Sequence, residues 1–385
     1  MKKLAIITTH PIQYYAPVFK LLYQRGNIDL KVFYTLGDAD IKYDPGFGKD
    51  VSWDIPTLEG YPYQWTENIS GQPGTHHFKG IINPALIRDV ETWGPDAILV
   101  FGWAYKSHLK VIRYFKNKMP VYFRGDSTLL DDVKGARRLA KIFFLKWLYN
   151  HIDHAFYVGA NNKLYFKRYG LSENKLSFAP HAVDNDRFSL SRDDEVRKFK
   201  QELGICDTDI TILFAGKFEN KKSPGLLLNA FMTANIPLTR LLFVGDGALA
   251  NTLKAAAGGN TQVSFIEFQN QSAMPVVYQS CDLFCLPSAG PGETWGLAVN
   301  EAMACGKAVL VSDKVGCAAD LVKEGINGSI FRSGDVQDLV EKLQALTIDK
   351  YSLTQMGKQS QHIIKRYSFL HIAEAIEHKL QNETN

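Results

Sequence analysis

The stretch at residues 287–313, PSAGPGETWGLAVNEAMACGKAVLVSD, restricts the folds open to this chain more than any other. An apolar run, Leu283-Phe284-Cys285-Leu286, leads into Pro-Ser-Ala-Gly-Pro-Gly. Leu297, Val299, Ala302 and Met303 then recur at helical spacing up to Gly306, and a second apolar run follows from Ala308 to Val311. Strand, glycine-rich loop, helix and strand in that order make one right-handed βαβ unit, which predicts a parallel sheet. Glu293 lies in the loop and Glu301 on the helix, with seven residues between them. Packing does not explain a carboxylate among glycines and small residues, so the loop is predicted to hold something polar.

The same alternation runs through the rest of the chain. Strands are predicted at Lys3 to Thr8, Leu30 to Tyr34, Ile98 to Phe101, Val121 to Phe123, His154 to Val158 and Ser177 to Ala179, with helices at Val18 to Gln24, Ser107 to Lys116, Lys134 to Tyr149 and Lys163 to Tyr169. After the charged stretch from Ser189 to Leu203, strands recur at Ile210 to Ala215, Leu241 to Val244 and Val263 to Phe265, with a helix at Leu226 to Met232. This predicts an α/β protein of two Rossmann-like, doubly wound domains facing a central cleft, at residues 1–188 and 189–368. A last helix at about 369–385 is expected to pack back on the first domain. Residues 36–80 are irregular and aromatic (Tyr43, Phe47, Trp53, Tyr61, Tyr63, Trp65), which suits either a binding face or a surface excursion with its own small core.

With 385 residues, 45% hydrophobic and 22% charged, the chain has room for two cores, and no apolar run approaches the length that spans a bilayer. The first apolar run is five or six residues and ends in Thr-Thr-His-Pro, which reads as a buried strand and not a signal peptide. Five cysteines (Cys206, Cys281, Cys285, Cys305, Cys317) without metal spacing suggest reduced thiols in a cytoplasm. Charge is uneven: residues 1–190 carry 25 Lys+Arg against 18 Asp+Glu, and residues 191–385 carry 19 against 22. The first half therefore suits an anionic partner but falls short of nucleic-acid binding. Within it, Arg137, Arg138, Lys141 and Lys146 accompany Phe143, Phe144, Trp147 and Leu148, and Lys106, Lys110, Arg113, Lys116 and Lys118 line the preceding helix. Such a helix either lies on anionic lipid at the inner face of a membrane or turns its apolar side to the core.

Ligands of doubly wound sheets bind at the carboxyl ends of the strands. Lys217 follows the strand ending at Ala215, and Lys222 lies five residues on, before a helix. Two cations so placed suit a diphosphate; a solvated lysine loop is the other reading. The Gly296 and Leu297 amides open the helix of Glu301 and form a second anion site, and a carboxylate such as Glu301 accepts two hydrogen bonds from sugar hydroxyls.

These residues carry a resemblance. Glu293-Thr294-Trp295-Gly296-Leu297 with Glu301-Ala302-Met303-Ala304-Cys305-Gly306 resembles the E-x7-E signature of retaining GT-B glycosyltransferases, in particular family 4 (glycosyl transferases group 1). Gly216-Lys217-Phe218 with Lys222 resembles the family's G-R-L…K element, and Val244-Gly245-Asp246-Gly247 its strand-end turn. The resemblance implies that Glu301 binds ribose hydroxyls, that Glu293 faces the donor sugar, and that Lys217, Lys222 and Gly216 hold the diphosphate. It puts Trp295, Gly296 and Leu297 along the donor and base recognition at backbone groups near Phe268 and Gln269. Three features depart from the pattern. Lys217 stands where arginine is usual, His10-Pro11-Ile12-Gln13-Tyr14 replaces a glycine pair and brings Gln13 to the donor, and Arg124-Gly125-Asp126-Ser127 stands where the family often has histidine, so that Asp126 or Arg124 would take its place.

The implied chemistry is sugar transfer with retention from a UDP- or GDP-sugar, without cofactor or metal, to a hydroxyl of a glycan or lipid-linked acceptor in cell-surface polysaccharide synthesis. Asp38-Ala39-Asp40 and Asp184-Asn185-Asp186 could form metal-binding Asp-x-Asp pairs but are read as surface turns. A nucleotide-sugar epimerase and a non-catalytic nucleotide-sugar binding subunit share the architecture. Base, sugar and acceptor identity stay open.

Overall fold

The computed structural model describes residues 1–37, 43–44, 49–50, 52–131 and 136–383. The pair at residues 38–40 lies outside the described residues. Two compact units emerge: Met1–Asp40, Pro56–Pro180 and Phe369–Asn385 form one, and Ile41–Ile55 with His181–Ser368 form the other.

In the first unit the described residues give a seven-stranded sheet of β1 (Lys3–Thr8), β2 (Asp29–Tyr34), β3 (Tyr63–Trp65), β4 (Ala97–Phe101), β5 (Val121–Arg124), β6 (His154–Tyr157) and β7 (Leu176–Phe178). Its order is β3-β2-β1-β4-β5-β6-β7, parallel throughout, with Ile6 against both Val32 and Leu99. All five residues of β4 are buried, as a central parallel strand with helices on both faces requires. Helices α1 (Ala16–Arg25), α2 (Lys106–Phe115) and α3 (Ala136–Tyr149) are among those that cover it.

The second unit carries β8 (Ile210–Ala215), β9 (Thr239–Val244), β10 (Val263–Ile266), β11 (Leu283–Leu286), β12 (Ala308–Ser312) and β13 (Gly328–Phe331) in the order β10-β9-β8-β11-β12-β13. All pairs are parallel, and β8, β11 and β12 are buried along their whole length. Helix α4 (Pro224–Ala234) follows β8 with proline in its first turn, where a missing N–H costs nothing. Helix α5 (Leu297–Ala304) joins β11 to β12. Both sheets reverse direction beside their first strand, the switch point at which open α/β sheets take ligands.

Helix α6 (Phe369–Gln381) belongs to the first unit, where Glu377, 4% exposed, receives Arg25 Nε at 2.9 and 3.1 Å and Asn27 Nδ2 at 3.0 Å. The chain changes unit between Pro180 and His181, earlier than the expected 188. The irregular stretch also divides: Tyr61, Tyr63 and Trp65 pack around Tyr34 in the first unit, with the Tyr34 and Tyr61 hydroxyls 2.5 Å apart, whereas residues 41–55 group with the second. Asp184 is a helix cap and not a free turn, since its carboxylate accepts the Arg187 N–H at 3.0 Å at the head of Asn185–Ser189. Four of the cysteines are buried, and burial pushes the Cys281 thiol up to about 12, so they behave as small apolar residues.

Candidate active site

The residues singled out in the second unit collect at the carboxyl ends of β8, β10 and β11. At the end of β8, Gly216 continues the ladder by donating its N–H to the Val244 carbonyl at 3.0 Å, and Lys217 follows, half-buried. The Phe218 N–H donates to the Asp246 carbonyl at 2.8 Å, which fixes the loop after β8 against the Gly245-Asp246-Gly247 turn. A single 3₁₀ turn, Asn220–Lys222, then sets Lys222 just ahead of α4.

From that turn Lys222 reaches 71 residues along the chain. Its Nζ lies 2.9 Å from Glu293 Oε2, with only 16% and 9% of the two side chains exposed. Ser288 Oγ donates to the same Glu293 oxygen at 3.0 Å. Enclosing a carboxylate costs less with a cation and a hydroxyl set against it. β8 and β11 are neighbours in the sheet, so the topology itself brings these two loops together.

The loop that carries Glu293 is clamped from behind. The Gly316 N–H donates to the Glu293 carbonyl at 3.0 Å and the Cys317 N–H to that of Trp295 at 2.9 Å. A Cβ on Gly316 would stand 1.7 Å from the Thr294 carbonyl oxygen, so only glycine admits this approach. Gly296 takes the left-handed φ of 96°, and the chain turns there into α5 at Leu297. Trp295 Nε1 donates to Asn300 Oδ1 at 2.8 Å, and Asn300 Nδ2 donates to the His181 carbonyl at 3.0 Å.

Glu301, 3% exposed on α5, accepts the Tyr278 hydroxyl on Oε2 at 2.7 Å. Phe268 and Gln269, both half-buried, follow β10 at the far edge of the same rim. The second unit thus lines up aromatic and amide groups after β10, cations after β8, and carboxylates after and between β11 and β12. Such a row can hold a ligand with an apolar ring at one end, an anionic centre and a polyhydroxyl end. Among the described residues no group of three or more His, Cys, Asp or Glu side chains is placed to hold a metal ion.

The other candidates belong to the first unit. Gln13 is half-buried in the turn between β1 and α1, and Asp126 is half-buried just after β5. Arg124 requires a correction. It is 2% exposed, and its two Nη atoms donate to the Ala179 and Pro180 carbonyls at 2.7 and 2.8 Å, above the ring of Tyr15. Its guanidinium secures the end of the first unit and is not presented to a substrate. Ser288, Tyr278, Asn300 and Gly316 were not singled out from the sequence. They hold the predicted residues in place, and no motif spacing marks them.

Two parallel, doubly wound sheets of this kind define the GT-B fold, and solved structures of that fold superpose on the whole chain. The Anabaena protein HepE, solved in complex with UDP and glucose, is 18% identical, covers 100% of both chains and gives a TM-score of 0.73. Sucrose-phosphate synthase from Thermosynechococcus elongatus is 16% identical over 99% of this chain and 98% of its own, with a TM-score of 0.72. Residues 195–363 match the model of the family Glycosyl transferases group 1. D-inositol 3-phosphate glycosyltransferase of Nocardia farcinica is 27% identical over 220 residues, 54% of this chain and 48% of its own. Sulfoquinovosyl transferase SQD2 of Arabidopsis thaliana is 28% identical over 213 residues, 54% of this chain and 40% of its own. The chain spans about half the length of the curated relatives it matches.

Proposed function

We propose that the chain is a retaining glycosyltransferase that moves a sugar from a UDP- or GDP-sugar to a hydroxyl of a glycan or lipid-linked acceptor, in the synthesis of cell-surface polysaccharide. The observation that carries this reading is the enclosed Lys222–Glu293 pair at the ends of adjacent strands, one residue type for a diphosphate and the other for sugar hydroxyls. The names of the relatives and the UDP and glucose in HepE support it. In the reaction the bond from the anomeric carbon to the diphosphate breaks and the acceptor oxygen bonds to that carbon on the same face. The acceptor proton passes to a departing phosphate oxygen. Lys217, Lys222 and the amides at Gly296 and Leu297 stabilise the charge that develops on the leaving group, which is where preorganised donors contribute most. Glu301 holds the ribose hydroxyls. The lysines neutralise the diphosphate, so no metal or cofactor takes part.

Incubation with UDP-, GDP- and ADP-sugars in the presence of EDTA tests this. Slow release of nucleoside diphosphate from one donor, and a product of retained configuration with an acceptor, are expected. An isomerised nucleotide sugar would mark an epimerase, and binding without turnover a non-catalytic subunit; either overturns the proposal.

The proposed acceptor side includes an anionic membrane surface. On α3, Leu148 turns to the core, but Leu139, Phe143 and Trp147 are 61%, 74% and 42% exposed and follow one another at four-residue spacing. Exposed Arg138 and Lys146 flank this stripe, and it ends at an open cavity of about 400 Å³ lined by Lys110, Arg113, Tyr114 and His151, with Arg113 5.5 Å from the Trp147 ring. Apolar groups ringed by cations suit the boundary between lipid tails and anionic headgroups. No helix among the described residues is long and apolar enough to cross a membrane. Co-flotation with phosphatidylglycerol vesicles at low salt is expected, falling at high salt and lost in Phe143→Ser/Trp147→Ser. Equal recovery with neutral vesicles, or no effect of the double substitution, would remove this surface from the proposal.

A further inference from the structure

The rim of the second unit has a geometry that extends the donor-site reading, on which this inference rests. Strands β10, β9 and β8 lie side by side, and neighbouring strands stand about 4.8 Å apart. The end of β10 is therefore two strand spacings, roughly 10 Å, from the loop that bears Lys217 and Lys222. A nucleoside diphosphate laid across the strand ends with its phosphates at those lysines brings its base to Phe268 and Gln269.

A distant piece of chain is fixed at that spot. Asn270 Nδ2 donates to the Ser52 carbonyl at 2.7 Å. The Ser272 N–H donates to the Asp54 carboxylate at 3.1 and 3.2 Å, and the Asp54 N–H reaches Asn270 Oδ1 at 3.4 Å. These bonds join residues more than 210 positions apart and hold residues 52–54 to the turn after β10. Between them Trp53 presents its ring 6.3 Å from that of Phe268, inclined by 56°. Both rings are half-buried at the open rim, and neither belongs to the buried core of the unit.

We propose that Trp53 is a nucleobase-binding residue, held over the turn after β10 by Asp54 and Asn270 so that Trp53 and Phe268 give the base two aromatic walls. Two half-buried rings inclined to one another offer a flat heteroaromatic ring a stacking surface. Aromatic side chains stack on any base, because every base has a π-face. Base recognition then has a side-chain component beside the backbone groups near Phe268 and Gln269, and it comes from the part of residues 36–80 that groups with the second unit.

Calorimetric titration of the full chain with UDP, GDP, ADP and inorganic pyrophosphate tests this. Trp53→Ala is expected to weaken the best of the three nucleotides about tenfold, and Trp53→Phe to retain most of the affinity. Pyrophosphate has no base, so its binding is expected to be equal in the wild type and both variants. Unchanged nucleotide affinity in Trp53→Ala overturns the proposal and leaves the donor site standing. Equal losses for nucleotide and pyrophosphate assign Trp53 to packing and also overturn it. A wild type that binds none of the three nucleotides removes the donor-site reading itself, and this inference with it.

Discussion

Lys222→Ala is expected to lower turnover by two to three orders of magnitude, the cost of removing one preorganised donor from a developing anion. On the proposed reading its ammonium faces the diphosphate, and in the structure it is paired with Glu293 at 2.9 Å. That pairing gives the substitution a second effect. It leaves a carboxylate with 9% of its side chain exposed and only Ser288 as its remaining described donor, and an orphaned buried charge costs about 3–5 kcal/mol. Lys222→Ala should therefore melt earlier as well as turn over slowly. Lys222→Ala/Glu293→Gln separates the two effects, because a neutral amide no longer needs the ammonium. The double variant should recover most of the thermal stability and none of the activity. Wild-type kinetics in Lys222→Ala, measured as kcat with saturating donor, would take the diphosphate away from this loop.

The second large effect concerns Glu301. A carboxylate accepting two ribose hydroxyls makes charged hydrogen bonds of about 1.5–3 kcal/mol each. Glu301→Ala should then weaken nucleoside diphosphate binding by roughly two to four orders of magnitude, and Glu301→Gln by less. Tyr278 donates to Glu301 at 2.7 Å, so Tyr278→Phe should produce a smaller change in the same direction. The sharper readout is discrimination. Wild-type protein should prefer UDP or GDP over its 2′-deoxy analogue, and Glu301→Ala should bind the pair alike. A variant that keeps the preference would show that the ribose is held elsewhere.

Much of this was legible in the residues because strand, glycine and helix signals agree with one another along the chain. Ile210–Ala215 and Leu283–Leu286 are continuous apolar runs, the mark of strands buried on both faces, and they became central strands. Glu293 and Glu301 stood out because their surroundings gave them no packing role. Arg124 was misread because it follows a strand, as a site residue would. Nothing local reveals that its guanidinium is engaged by two carbonyls 55 and 56 residues away. Tyr278 and Ser288 were invisible for the same reason: they matter through contacts set by the fold, and a tyrosine or serine alone carries no signal. Residues 36–80 were read as one irregular stretch, either a binding face or a surface excursion, but hydrogen bonds across more than 210 positions divide them. No periodicity encodes such pairings.

The return of α6 to the first unit has a consequence for synthesis. Ile372, Ala373, Ile376 and Leu380 are buried, and Glu377 is the partner that Arg25 and Asn27 share. At the usual pace of translation the roughly 190 residues between Pro180 and α6 take about 10 to 40 s to be made. Throughout that interval the nascent first unit lacks one of its own helices, and the face of α1 that carries Arg25 stays uncovered. The second unit, apart from residues 41–55, is written from His181 to Ser368 and is all but complete before the first can close. The part of the chain that begins first is therefore the part that finishes last.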